Sequence, residues 1–232
     1  MSNELPGTYR EETWDNAPPQ PESGVTTSLP KEVTESVDIT AITQLILRER
    51  ESRDLQRWDT LRECYWPDSL IRVSWFKGNA EDFVNGSRDM AKRGVPAKHR
   101  LGPILVTLAG DRAVASLAAI IDLPVRLSGI EGTLSAHARF LYRAERRGGQ
   151  WRIVGFDAYY MRDELTPAVP GQTIQIDSKE LGALRPTYRL LSYYLKTQGF
   201  GIDSNLPGED RPDLIDALNQ EIFSWARLPL PR

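Results

Sequence analysis

Cysteine occurs once in the 232 residues and histidine twice. A lone Cys64 cannot close an intramolecular disulfide, and together with two histidines it leaves a zinc site short of its usual ligands. Its helical, aromatic context marks Cys64 as a small buried hydrophobe, not a nucleophile. Long apolar runs are missing as well. No stretch approaches the roughly 20 residues that span a bilayer, and the N-terminus has no basic start followed by an apolar run. A soluble, cytoplasmic protein with no membrane partner is the expectation. Nor is there an excess of positive charge: 29 basic against 32 acidic side chains give a net charge of -3. With no cluster of basic residues interleaved with aromatics, nucleic acid is excluded as a partner. The glycine-rich loop of a nucleotide enzyme is absent, and Ser87, Ser116 and Ser135 lack the strained elbow of a serine hydrolase. Any chemistry therefore falls to side chains alone, with no cofactor and no metal.

Residues 1–36 carry five prolines and seven acidic against two basic side chains. Such a segment buries too little to offset chain entropy and reads as a disordered or surface-draped tail. From residue 37 the pattern changes. Asp38 or Thr40 could cap a helix carrying Ile42, Leu45 and Ile46 on one face and charged pairs on the other, through Asp54. A shorter helix, residues 58–65, ends before Pro67. Residues 69–76 read as a strand, and Gly78-Asn79 leads into a third helix over 80–93. Four extended segments follow, 98–108, 113–127, 133–145 and 151–161, joined by turns at Gly110, Ser128-Gly129 and Gly148-Gly149. Helices followed by an antiparallel meander make an α+β fold, a curved sheet wrapped around the N-terminal helices. The domain division is tail 1–36, body 37–165 and helical extension 166–232. In the extension, residues 179–198 and 212–225 carry apolar stripes at helical spacing, with Pro186 as a kink or break in the first.

Within the sheet, residues 133–145 can be oriented. Ala136, Ala138, Phe140, Tyr142 and Ala144 share the core side, and His137, Arg139, Leu141 and Arg143 the outer side. That discounts His137 as a catalytic group. His99 lies in a run that alternates like a buried strand. Asp54, at the end of the first helix and at the azimuth of Leu47, is its candidate partner. Two readings stand: a proton-transfer pair, or an aspartate that merely ends a helix beside a histidine bonded to a carbonyl.

The segments Arg53–Leu61, Tyr65–Asp68, Val73–Gly78, His99 and Arg146–Ile153 resemble a SnoaL-like domain of the nuclear transport factor 2-like superfamily over about residues 38–165. The chain is similar in this respect to scytalone dehydratase, bile-acid dehydratase and hexachlorocyclohexane dehydrochlorinase. What those enzymes share is an aspartate after the first helix paired with a histidine on a sheet strand, and Asp54 and His99 fall at those places. The resemblance implies a conical α+β barrel around a deep apolar pocket and makes His99 and Asp54 the catalytic pair. It does not carry over the substrate, since Arg53 and Trp75 stand where the dehydratases place tyrosines. Glu49 and Phe156 align loosely with a lysine and an arginine of the dehydrochlorinase. Tyr65, Trp75, Tyr142, Phe156 and Tyr159 are the pocket aromatics expected to meet a substrate, each with a plain core reading beside it.

Two functions follow. One is a cofactor-free lyase or isomerase acting on a small apolar metabolite of polyketide, terpenoid or aromatic type. The other is a non-catalytic ligand-binding or protein-interaction module. Leu141 on the outer face implies a homodimer or homotrimer, and the tail helices are expected to cover the mouth of the cone or a neighbouring subunit.

Overall fold

A computed structural model describes residues 30–231. The expected N-terminal tail lies outside them up to residue 29, but its last residues do not conform: helix α1 runs Lys31–Asp54. Pro30 opens it, and its first turns are exposed, with Thr34, Ser36, Thr40 and Thr43 bonding carbonyls four residues back. Asp38 is not the cap. It is buried and accepts from Trp151 Nε1 at 2.8 Å and Arg146 Nη1 at 2.9 Å, pinning the helix to the sheet.

Helix α2 (Trp58–Glu63) is shorter than expected, because Tyr65 already belongs to strand β1 (Tyr65–Val73) and Pro67 sits inside that strand. A turn at Ser74-Trp75 leads to β2 (Phe76–Gly78), and α3 (Ala80–Lys92) follows. Asn79 Oδ1 caps α3 by accepting from Asp82 N at 2.9 Å. Loss of that bond in Asn79→Ala is expected to cost about 1 kcal/mol, read as a lower urea midpoint.

The segment expected as one strand over 98–108 is two, β3 (Lys98–Leu101) and β4 (Leu105–Ala109), both paired with β5 (Arg112–Leu127). Pro103 has no N–H for a ladder and breaks them apart. Strands β6 (Ile130–Arg147) and β7 (Gln150–Pro167) complete an order β2-β1-β7-β6-β5-β3, with β4 beside β5. β1 and β7 run parallel and every other pair antiparallel, so the sheet is mixed. It curves round the helices without closing into a barrel, because β2 and β3 stand at its ends.

The inner face of β6 is the one read from alternation, with Ala136, Ala138, Phe140, Tyr142 and Ala144 all in the core. β7 behaves differently. A bulge opposite Arg143 and Ala144 shifts its parity, so Trp151 and Ile153 point inward, and beyond it Phe156, Ala158 and Tyr160 do.

The C-terminal extension breaks at Pro186 into α4 (Ser178–Gly182) and α5 (Arg189–Thr197), and α6 (Pro212–Ala226) follows. Leu191 and Leu195 of α5 join the main core and line its inner cavity. α6 lies on the opposite, outer face. Its Leu218, Ile222 and Ala226 pack on Val114 and Leu141, and Glu221 forms paired 2.9 Å bonds with Arg72. The outer strip around Leu141, on which the expectation of a second copy rested, is thus covered within one chain.

Candidate functional site

Helix α1 turns its last three turns inward with charged side chains. Ile42 and Ile46 are followed on the same face by Glu49, Arg50 and Arg53, all buried. Glu49 accepts from the Tyr65 hydroxyl at 2.6 Å and the Tyr142 hydroxyl at 3.1 Å, and from Nε and Nη2 of Arg50. Arg50 lies over the Phe156 ring at 4.7 Å, and Phe156 stacks on Tyr142 at 4.5 Å. Burial works to lower the Arg50 pKa, but Glu49 outweighs it and holds the guanidinium above its ordinary value. Burial raises both phenols, with Glu49 adding to it, so both stay protonated and donate.

Asp54 is the last residue of α1. Gln56 takes a left-handed φ of 59°, and Arg57 N closes on Ser52 O at 2.8 Å, a C-terminal lock normally made by glycine. Lys98 Nζ donates to the carbonyl of Asp54. The carboxylate itself binds His99 twice: Nδ1 to Oδ1 at 2.6 Å and the backbone N–H to Oδ2 at 2.7 Å. The two residues thus meet, and the alternative of a carbonyl partner for His99 is gone. With its Nδ1–H donated to Asp54, the neutral ring offers Nε2 as an acceptor, and Arg50 Nη1 stands 3.5 Å from it.

Burial depresses the His99 pKa to about 4; Asp54 opposes this, and Arg50 and Arg53 add to it. Asp54 is also held below the usual carboxylate range: burial works to raise it, but the His99 bonds more than offset that. An unfolded histidine titrates near 6.5, so between about pH 6.5 and 4 the unfolded chain binds a proton that the folded chain refuses. Stability is therefore present in full above about pH 6.5 and is expected to fall as the pH is lowered through that window, by roughly 3 kcal/mol from this group. Urea midpoints from pH 7 to 4 check it: His99→Gln should flatten the slope, and an unchanged slope would refute the assignment.

The pair stands between two spaces. Inward is a cavity of about 40 Å³ walled by Trp75, Phe83, Phe140, Phe156 and Tyr160, with Arg50, Arg53 and His99 at one side and Leu191 and Leu195 of α5 closing it. Outward, Arg50, Asp54 and His99 border an open groove of about 760 Å³ between α1 and β3. Of the five expected aromatics, Trp75 and Phe156 line the cavity. Tyr65 and Tyr142 do not, because their hydroxyls are turned to Glu49. Tyr159 is on the outer face near Leu141 and Phe223, and the bulge in β7 puts Tyr160 in its place. Tyr160 accepts from Ser74 N at 2.8 Å. His137 binds Glu164 at 3.1 Å outside the site, and burial raises the Cys64 thiol to about 12, which leaves it unreactive.

Glu49, Arg50 and Arg53 are the site residues that composition concealed. The signal that finds them is azimuth: 42, 46, 49, 50 and 53 fall within one helical arc. Residues 34–157 match the family model of the SnoaL-like domain, more than half the chain. The chain belongs to that family. This SnoaL-like chain is 27% identical over 183 residues to pea pathogenicity protein 2 of Fusarium vanettenii, covering 75% of this chain and 78% of that one. An uncharacterised protein of Aspergillus terreus is 30% identical over 179 residues, 68% of this chain and 65% of that protein. Among solved structures LinA superposes with a TM-score of 0.51 at 14% identity, over 62% of this chain and 98% of LinA, a likeness of fold alone. No helix among the described residues is long and apolar enough to cross a membrane.

Proposed function

We propose that this SnoaL-like chain is a cofactor-free lyase, a dehydratase, or an isomerase, acting on a small and largely apolar metabolite of polyketide, terpenoid or aromatic type. The observation that carries the reading is the 2.6 Å bond from His99 Nδ1 to Asp54, which leaves Nε2 as the ring's acceptor on a residue that lines the cavity. Asp54 fixes the tautomer and stabilises the imidazolium that forms when Nε2 takes a proton from a carbon beside a carbonyl. Returning that proton to a leaving hydroxyl eliminates water, and returning it to another carbon isomerises. Arg50, paired with Glu49 yet within reach of Nε2, is placed to donate to the oxygen on which enolate charge develops.

A second reading, a non-catalytic ligand-binding or interaction module, is favoured by the cavity's size. About 40 Å³ holds roughly two or three waters. A larger substrate enters only when Leu191 and Leu195 move away, as closing segments do in other enzymes.

The test offers the full chain β-hydroxy ketones and β-hydroxy acids in deuterated buffer and follows water loss and deuterium uptake by NMR. Turnover by the native chain and none by His99→Ala supports the lyase reading. Equal turnover by both rejects His99 as the base. Binding without turnover favours the second reading.

A further inference from the structure

Arg53 is the buried cation that neither the fold nor the proposed chemistry uses. It is 5% exposed, and its one polar contact among the described residues is Nη2 to the Met90 sulfur at 3.5 Å, a weak acceptor. Its neighbours are already engaged. Glu49 takes two tyrosine hydroxyls and two N–H groups of Arg50, and both oxygens of Asp54 are held by His99. Arg53 lines the cavity beside Arg50 and His99, and no carboxylate among the described residues lines it with them. Burial, and then Arg50, lower its pKa only to about 10, so it is charged at neutral pH. A guanidinium held in apolar surroundings with no counter-charge destabilises a fold, and buried cations are retained where they meet an anion. Asp54 and Glu49 attract Arg53 through space, but among the described residues no carboxylate is bonded to it.

We propose that Arg53 binds a carboxylate, or an oxygen of equal charge, on the ligand, so that the cavity takes a small organic acid whose apolar body lies against Trp75, Phe83 and Phe140. The planar fork of a guanidinium suits a two-oxygen anion. The proposal shares the cavity of the lyase reading and sharpens its substrate class, but it does not require turnover. It has a consequence at the base. An anion set between Arg53 and Arg50 offsets the two positive charges that weaken His99, so the ligand's own charge makes Nε2 more basic when it binds.

Formate and acetate match the cavity and have neutral counterparts in formamide and acetamide. The full chain is titrated with each at constant ionic strength, with chloride as the balancing salt, and two signals are read: the melting temperature and the pH titration of the His99 ring by NMR. Acetate is expected to raise the melting temperature saturably and to lift the His99 pKa by about one unit. Acetamide should do neither. Arg53→Met should abolish both responses and melt no lower than the native chain, since it removes an uncompensated buried charge. The proposal is overturned if acetamide matches acetate, if chloride alone produces the shifts, or if acetate acts equally on Arg53→Met. Should that variant be too unstable to purify, the native His99 titration decides alone: a rise with acetate supports the site, and no rise removes it. Acetate binding through Arg53 with no turnover of any acid would sink only the lyase reading. Turnover of neutral hydroxy ketones without acetate binding would sink only this one.

Discussion

Glu49→Ala is expected to lower folding stability by roughly 3–5 kcal/mol. The carboxylate is fully buried and is the acceptor for Tyr65, Tyr142 and two nitrogens of Arg50. Removing it strands a charged guanidinium and two hydroxyls in buried positions, and the desolvation of each is then uncompensated. Against a typical total of 5–15 kcal/mol this brings the chain close to unfolding. The double replacement Glu49→Leu with Arg50→Met should recover much of the loss, because the guanidinium that the single change strands is removed with its partner, although the two phenols still lack an acceptor. Urea denaturation checks this through the midpoint at constant slope. A loss under about 1 kcal/mol in Glu49→Ala, or a double variant worse than the single, would show that the cluster is not coupled in this way.

His99→Ala and Asp54→Asn should each lower turnover by roughly 10² to 10⁴, and the double variant by little more than either. The sub-additivity is the informative part. Asp54 has no proton to transfer to a substrate; its effect passes through the ring it orients at 2.6 Å, so once the ring is gone the carboxylate has nothing left to do. The amide introduced by Asp54→Asn keeps the shape but not the charge that stabilises the imidazolium. Multiplicative losses would mean that the two residues act on separate steps, and unchanged turnover in His99→Ala would remove the base altogether. Both variants should retain the fold by circular dichroism, since His99 is neutral at assay pH and neither change buries a new charge.

Helix α3, announced by the Gly78-Asn79 turn, and the β6 inner face with Phe140 and Tyr142 were legible because each is a local pattern: a turn and a period. The glycines that turn the meander at Gly110, Gly129 and Gly149 all adopt positive φ, which is the reason they are glycines. The pairing of Asp54 with His99 was reached through the family resemblance, with only the azimuth of Asp54 adding to it from the residues. Spacing alone left the carbonyl alternative open.

What the amino-acid sequence determined by itself, then, is whatever repeats within one element: the α+β order, the position of most turns, and the face of a regular strand. The tertiary structure alone decided three things. It decided that the charged end of α1 is core, because local composition cannot distinguish a solvated Glu-Arg face from one covered by Tyr65, Tyr142 and Phe156 arriving from distant strands. It decided that Tyr160, not Tyr159, enters the cavity, because a bulge in β7 inverts side-chain parity without any mark in the residue pattern. And it decided that α6 covers Leu141, while α5 closes the cavity. An apolar stripe states that something must cover it, but the choice of partner is made by packing across the whole molecule.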